Sequence, residues 1–349
     1  MPLIRLPPSQ TDERTVVEAI RSLLPAEHWA VLLGVGDDAA VLRPQTLPWV
    51  ITCDSLVEGV HYRPEWSDAA TIGFKLAHVN MSDLAAMGAW PAVAFLSVVA
   101  PLEGAANYLL DIHQALQVEL SKVGATLAGG NFSTSPVGSS FSLTLLGLSD
   151  WPVLTRSGAR IGDKVYVTGH IGDSGAGLRL LLRGLGQPMD SNDCIVRHLR
   201  PQSRLHLSRY LTQYISPTAC IDVSDGLAKD GEQIADASNV SLQISLERIP
   251  LSRSYCEAMG PFVYPAIAAQ AVGLGEDYEL LFTVPADTAV PLQIDGIPIT
   301  HIGEVLPRQE QSVVWLYNGQ PTSGETRGWD HFKVSTVPSR FRESAEIDK

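Results

Sequence analysis

Residues 34–39 read Gly34-Val35-Gly36-Asp37-Asp38-Ala39, a match to the loose dinucleotide-binding pattern Gly-x-Gly-x-x-Ala. Accepting the match would make the chain a doubly wound α/β protein. In that loop bare backbone N–H groups and a helix N-terminus face a pyrophosphate. Here two carboxylates stand inside the loop and would repel phosphate unless a cation lay between them. The residues that follow, Ala39-Ala40-Val41-Leu42, suit a strand as well as a helix. The match is rejected, and the loop becomes an acidic turn whose meaning depends on the clusters that accompany it.

The rest of the chain does not restore a doubly wound sheet. Residues 12–24 predict an amphipathic helix with Val16, Val17, Ile20, Leu23 and Leu24 on one side, stopped by Pro25. Strands are expected at Val50–Cys53, Ala92–Val99 and Ser140–Leu148, and helices over 69–87 and Ala106–Lys122. After a boundary near Ser149–Pro152, strands are expected at Lys164–Thr168, Ala219–Val223, Glu279–Val284 and Ser312–Tyr317. Helices are expected at 174–183, 226–237 and, as one long stretch, 193–214. Regular βαβ alternation is missing from both halves, so the fold class is α+β in two domains, 1–150 and 151–349. The polar tail from Pro338 is expected to be loose.

Composition narrows the function. With 25 Lys and Arg against 38 Asp and Glu the net charge is −13, which argues against nucleic acid or an anionic membrane as partner. Cys53, Cys194, Cys220 and Cys256 have no metal-ligand spacing and predict reduced thiols. No signal-peptide core opens the chain and no apolar run is long enough to span a bilayer, so a cytoplasmic location is expected.

The acidic turn at 34–38 recurs in kind. Asp54 follows the apolar Val50–Cys53 and is expected at a strand end, and Asn80 and Asp83 share a helix face at i, i+3. Asp222-Val223-Ser224-Asp225-Gly226 follows another apolar strand, and Gly275-Glu276-Asp277-Tyr278-Glu279 precedes one. Taken singly, each is an ordinary solvated turn or helix cap. Five in apolar surroundings point instead to a hard cation, since Mg²⁺ prefers carboxylate and hydroxyl oxygens shared with phosphate. Gly129-Gly130-Asn131 reads as a flexible turn after a strand, where backbone can approach a phosphate, and Arg156 as an anion clamp. Gly172-Asp173-Ser174-Gly175 resembles a serine-protease nucleophile loop, but a helix follows and no His motif precedes it. The chain contains no P-loop.

Read in order, these segments resemble the thiamine-monophosphate kinase family: the loop to Asp38, Thr52–His61, Val79–Gly88, Leu127–Asn131, Leu154–Ala159, Ile221–Leu227, Gly275–Leu280 and Trp329–Phe332. That family lies in the aminoimidazole-ribonucleotide-synthetase-like superfamily. The resemblance implies an N-terminal α/β domain that binds ATP and Mg²⁺ and pairs in a homodimer, and a C-terminal α+β domain completing the site. The implied reaction is ATP-dependent phosphorylation of thiamine monophosphate to thiamine diphosphate, the last step of its biosynthesis. It places several Mg²⁺ ions on Asp38, Thr52, Cys53, Asp54, Asp83, Asn131, Asp222 and Asp225, with Asp54 and Asp222 central to catalysis. ATP contacts fall on Gly130, Asn131, Arg156, Ser224 and Tyr108, and substrate contacts on His61, Glu276 and Trp329. Cys53 stands where the family has Thr, harmless if only its carbonyl binds. Asn131 replaces an Asp and removes one charge. Two other readings stay open: another enzyme of the superfamily, or a non-catalytic nucleotide or cation sensor.

Overall fold

The structure is a computed structural model describing residues 5–7, 12–36, 39–101, 103–185, 192–260 and 263–322. Asp12 starts the first helix, α1 (Glu13–Leu23), by accepting the Thr15 N–H at 3.1 Å, which satisfies one of the orphan donors of the first turn. Strands β1 (Val31–Leu33) and β2 (Val41–Leu42) then pair antiparallel. Residues 34–40 therefore join two strands, and no helix follows the Gly-rich loop.

The N-terminal half continues with β3 (Trp49–Val57), α2 (Ala69–Ala86), β4 (Trp90–Ala100), α3 (Ala106–Lys122), β5 (Thr126–Thr134) and β6 (Ser140–Leu148). These strands form a sheet ordered β3-β6-β4-β5, antiparallel except for β4 with β5. Side-chain alternation sorts its two faces: Phe141, Leu143 and Leu145 are fully buried in a core shared with α2 and α3, while Ser142 and Thr144 point the other way.

Helix α2 is the centre of the molecule. The Asp68 side chain caps it by accepting the Thr71 N–H at 2.7 Å. It ends at Gly88, whose φ of 69° only glycine adopts cheaply, with the Gly88 and Ala89 N–H groups bonded back to Ala85 and Leu84. Fourteen of its 18 residues are buried, so Lys75, Asn80 and Ser82 face protein on a helix with almost no wet side.

The C-terminal half contains β7 (Lys164–Thr168), α4 (Asp173–Leu182), α5 (Asp193–Leu199), α6 (Leu205–Tyr210), β8 (Ala219–Asp222), α7 (Leu227–Ser238) and β9 (Val240–Ser245). It continues with α8 (Arg253–Met259), α9 (Ala266–Val272), β10 (Leu280–Val284), β11 (Gln293–Ile294), β12 (Ile297–Pro307), β13 (Val313–Tyr317) and β14 (Gln320–Pro321). The second sheet runs β14-β13-β9-β12-β7-β10-β8, with β11 folded onto β12. On β10, Leu280 and Phe282 join Leu76 and Leu84 of α2 in one core, and Leu281 enters a second core on the far side. The two halves thus share an apolar interior, with α2 between the sheets.

Three expectations change. The continuous helix over 193–214 is broken, because Pro201 lacks an amide donor and disfavours helical geometry at Arg200, while Arg204 turns inward to Glu279. Strand β3 extends to Val57, so Asp54 lies inside a strand, registered with Leu143. Gly129-Gly130-Asn131 is not a turn but the middle of β5. Glycine suits the strand here because a Cβ on Gly130 would stand 2.1 Å from the Leu96 carbonyl oxygen.

Candidate active site

Helix α2 gathers acidic groups from three elements. Asn80 Oδ1 accepts the Asp54 N–H at 3.0 Å, and the Thr52 hydroxyl donates to the Asp83 carboxylate, so both polar residues of that face reach β3. Ser82 donates to Asp222 Oδ2 at 2.8 Å, at the end of β8. Burial, followed by the Asp83 and Asp225 charges, pushes the Asp54 carboxyl up to about 6. Burial above all, then Asp83, holds Asp222 well above the usual carboxylate range, with Asp230 and Asp54 adding to the effect. Asp83 is also raised by burial, against the Thr52 hydrogen bond and the nearby Arg156 charge.

This is crowded negative charge partly withdrawn from water, with Asp222 buried and Asp54, Asp83 and Asp225 half-buried. Among the described residues no three His, Cys, Asp or Glu side chains close into a metal cage. The donor set fits Mg²⁺ of the kind that takes one or two carboxylates from protein and the remaining ligands from phosphate and water.

The loop after β8 is built around a residue that sequence reasoning missed. Asp230 accepts the Ser224 and Asp225 N–H groups, each at 3.0 Å, and burial together with Asp225 raises its carboxyl to about 7. Gln233 donates to Asp230 at 3.1 Å and accepts from Arg156, which fixes the guanidinium beside the acidic cluster. Asp225 carries its own counter-ion, Lys229, at 2.6 Å.

The cluster at 275–279 does three separate jobs. Glu279 is fully buried and paired with Arg197 and Arg204. Asp277 accepts the Gly172 and Ser174 N–H groups at the start of α4. Glu276 faces the other way, 3.0 Å from Lys75 Nζ and 3.3 Å from His198 Nδ1. The fifth acidic cluster is therefore not a cation site as a whole, because salt bridges and backbone donors already occupy its carboxylates. His61 joins it indirectly: its carbonyl accepts from Lys75 at 3.0 Å, and its ring Nδ1 accepts the Val57 N–H at 3.0 Å. Ser174 Oγ and Glu276 both approach the same nitrogen of His198, Oγ at 3.2 Å. A hydrolytic triad needs nucleophile and acid on opposite ring nitrogens, so the protease resemblance has no mechanism here.

Other candidates are not brought to this cluster within one chain. Asp54, Leu143, Leu96 and Gly130 form one row across the sheet, which sets Gly130 three strand spacings, about 14 Å, from Asp54. Asn131 pairs with Ser97 on the sheet face turned away from α2. The Cys53 thiol is exposed on that face too, taking a hydrogen bond from Thr144, so only its backbone adjoins Asp54. Tyr108, on α3, lies near Glu58 and Asp68 in a groove of about 830 Å³ that also includes Arg200. Asp38 and Trp329 lie outside the described residues.

Comparison with known proteins settles the kinship. Family models match over residues 36–149 (AIR synthase related protein, N-terminal domain) and 160–316 (AIR synthase related protein, C-terminal domain). The thiamine-monophosphate kinase of Escherichia coli (strain K12) is 37% identical over 318 residues, covering 86% of this chain and 92% of that protein. The chain belongs to the thiamine-monophosphate kinase family. The family member from Rhodopirellula baltica is 34% identical and covers 80% of this chain and 84% of its own. The thiamine-monophosphate kinase structure from Stenotrophomonas maltophilia K279a superposes with a TM-score of 0.73 at 32% identity, covering 88% of this chain and 96% of that one. That of AaThiL complexed with AMPPCP and TMP gives 0.71 at 31% identity, covering 94% and 99%. The hydrogenase maturation protein HypE shares the fold alone, at 18% identity and a TM-score of 0.66.

Proposed function

We infer that this protein is an ATP-dependent thiamine-phosphate kinase, transferring the terminal phosphoryl group of ATP to thiamine monophosphate to give thiamine diphosphate and ADP. The observation that carries the inference is near full-length similarity to a family member described with AMPPCP and TMP. The acceptor atom is a phosphate oxygen, already anionic near neutral pH because the second phosphate pKa is about 6. The reaction then needs no general base, in keeping with His198 and His113 being buried with pKa values pushed down to about 4.

The barrier is repulsion between two phosphates, and the chain meets it with oxygen donors fixed in place. We propose that Asp38, Thr52, the Cys53 backbone, Asp54, Asp83, Asp222 and Asp225 hold Mg²⁺. When bound, magnesium would screen the phosphate charges and keep attack in line. Asn80 and Ser82 hold Asp54 and Asp222 in position, Arg156 offers a charged donor set for phosphate, and Ser224 lies on the loop after β8 between Asp222 and Asp225. Glu276, His61 and Trp329 are assigned to the cationic thiamine moiety, where a carboxylate and an aromatic ring suit a thiazolium.

We also propose a homodimer whose second chain completes the ATP site. Two features support it. The sheet face away from α2 is partly uncovered, with Ile51 62% and Val99 39% exposed among polar neighbours such as Ser142, Thr144 and Asn131. Gly130 and Asn131 are too far from Asp54 to share an ion with it in one chain. We further propose a cytoplasmic location, where ATP is supplied. Among the described residues no helix is long and apolar enough to cross a membrane. Purified protein given ATP, magnesium and thiamine monophosphate should form thiamine diphosphate, seen by anion-exchange chromatography. Absence of that product would overturn the assignment.

A further inference from the structure

Helix α7 holds the loop after β8 and the Arg156 segment at once. Asp230 on this helix is 1% exposed, and its Oδ2 accepts both the Ser224 and the Asp225 N–H groups at 3.0 Å. Its Oδ1 accepts from Gln233 Nε2 at 3.1 Å, one turn further along the helix. Gln233 Oε1 in turn accepts from the Arg156 guanidinium. At the end of α7, Ser238 Oγ accepts the Gly158 and Ala159 N–H groups at 3.1 Å and donates to the Arg156 carbonyl at 3.2 Å. One helix thus fixes both the backbone and the side chain of Arg156.

The polarity of this chain of bonds has a single solution. A carboxylate only accepts and a guanidinium only donates, so the amide between them must turn its NH2 to Asp230 and its oxygen to Arg156. The Arg156 charge is close enough to act on Asp83, yet the hydrogen-bond partner of its guanidinium here is a neutral amide. A carboxylate in that place would cancel the charge and compete with phosphate for the same N–H groups. The amide orients the guanidinium without neutralising it, and Arg156 is exposed, with further N–H donors to offer a ligand.

We propose that Asp230 and Gln233 are positioning residues that aim Arg156 at the phosphates of ATP, with Asp230 setting the direction of the Gln233 amide. This rests on the kinase reading above, in which Arg156 meets phosphate. Capping of the 224–225 loop accounts for Oδ2 of Asp230, but not for Oδ1, Gln233 or the guanidinium beyond it.

The test measures KM for both substrates at saturating magnesium, and binding of a non-hydrolysable ATP analogue by calorimetry, in the full-length enzyme. Gln233→Met breaks the link without changing any charge. It should raise the KM for ATP and the Kd of the analogue about fivefold to tenfold, and leave the KM for thiamine monophosphate within about twofold. Asp230→Asn should do at least as much. Its amide oxygen must stay on the Ser224 and Asp225 N–H groups, so its NH2 meets Gln233, whose own amide then turns NH2 toward Arg156. Adding Gln233→Glu to Asp230→Asn restores an acceptor facing each donor at the original total charge, and should recover most of the ATP affinity. Equal rises in both KM values, no rise with Gln233→Met, or a double variant no better than Asp230→Asn would each overturn the aiming role. If Asp230→Asn does not fold, Gln233→Met decides the matter with the same expected and contrary results. A wild type that fails to phosphorylate thiamine monophosphate overturns the kinase reading itself, which separates the two failures.

Discussion

Asp54→Asn should make the metal-free protein more stable while destroying its activity. Burial with the Asp83 and Asp225 charges raises the Asp54 carboxyl from 3.8 to about 6. That displacement corresponds to on the order of 3 kcal/mol of penalty for the ionised folded state. The sign follows from linkage. The folded pKa lies above the unfolded one, so between them the folded state binds more protons and stability falls as pH rises. The penalty is therefore complete above about pH 7, roughly halved by pH 5 and nearly gone below pH 4. Asn keeps the shape and removes the charge, so in chelator at pH 8 the variant should gain up to about 3 kcal/mol, with a correspondingly smaller gain at pH 5. Urea unfolding at the two pH values measures this directly. Turnover with saturating magnesium should fall by about three orders of magnitude or more, as expected when an electrostatic element of phosphoryl transfer is lost. A variant no more stable than wild type at pH 8, or a gain equal at both pH values, would refute the claim that this carboxylate is held ionised against its surroundings for a cation.

Two further perturbations separate structural from functional charges. Arg204→Ala removes a partner of the fully buried Glu279 and should destabilise the fold by about 3–5 kcal/mol in urea titration; a loss under about 1 kcal/mol would show the pair to be dispensable. Co-expressing Asp54→Asn chains with Asn131→Lys chains tests the composite site: random pairing leaves one intact site in half of the dimers, about a quarter of wild-type activity. No recovery above the separate variants would place both residues in one chain's site.

Much of the fold was legible because it rests on local periodicity. The apolar faces of α1 and α3 and the alternation of β6 follow directly from side-chain spacing. Gly129 and Gly130 were misread because glycine is poor in isolated strands, and its use here depends on how closely β4 passes, which no local pattern reveals. The break at 200–204 had a visible signal in Pro201, but not the inward turn of Arg204 toward a carboxylate 75 residues away. At the candidate site, the i, i+3 spacing of Asn80 and Asp83 was readable, and both do reach β3. Asp230, Ser82 and Lys75 were not, since their partners are set by tertiary contact. Lys75 left the one trace available in sequence, a single cation in an apolar helix.

The central claim is that this chain couples ATP cleavage to a phosphate acceptor of the thiamine type. The direct measurement is ADP release by the purified protein with ATP and magnesium, with and without thiamine monophosphate. The account predicts ADP formed one for one with acceptor consumed, little release in its absence, and loss of both on chelation. Release that ignores the acceptor, or no release at all, would contradict it and favour a different enzyme of the superfamily or a non-catalytic nucleotide binder.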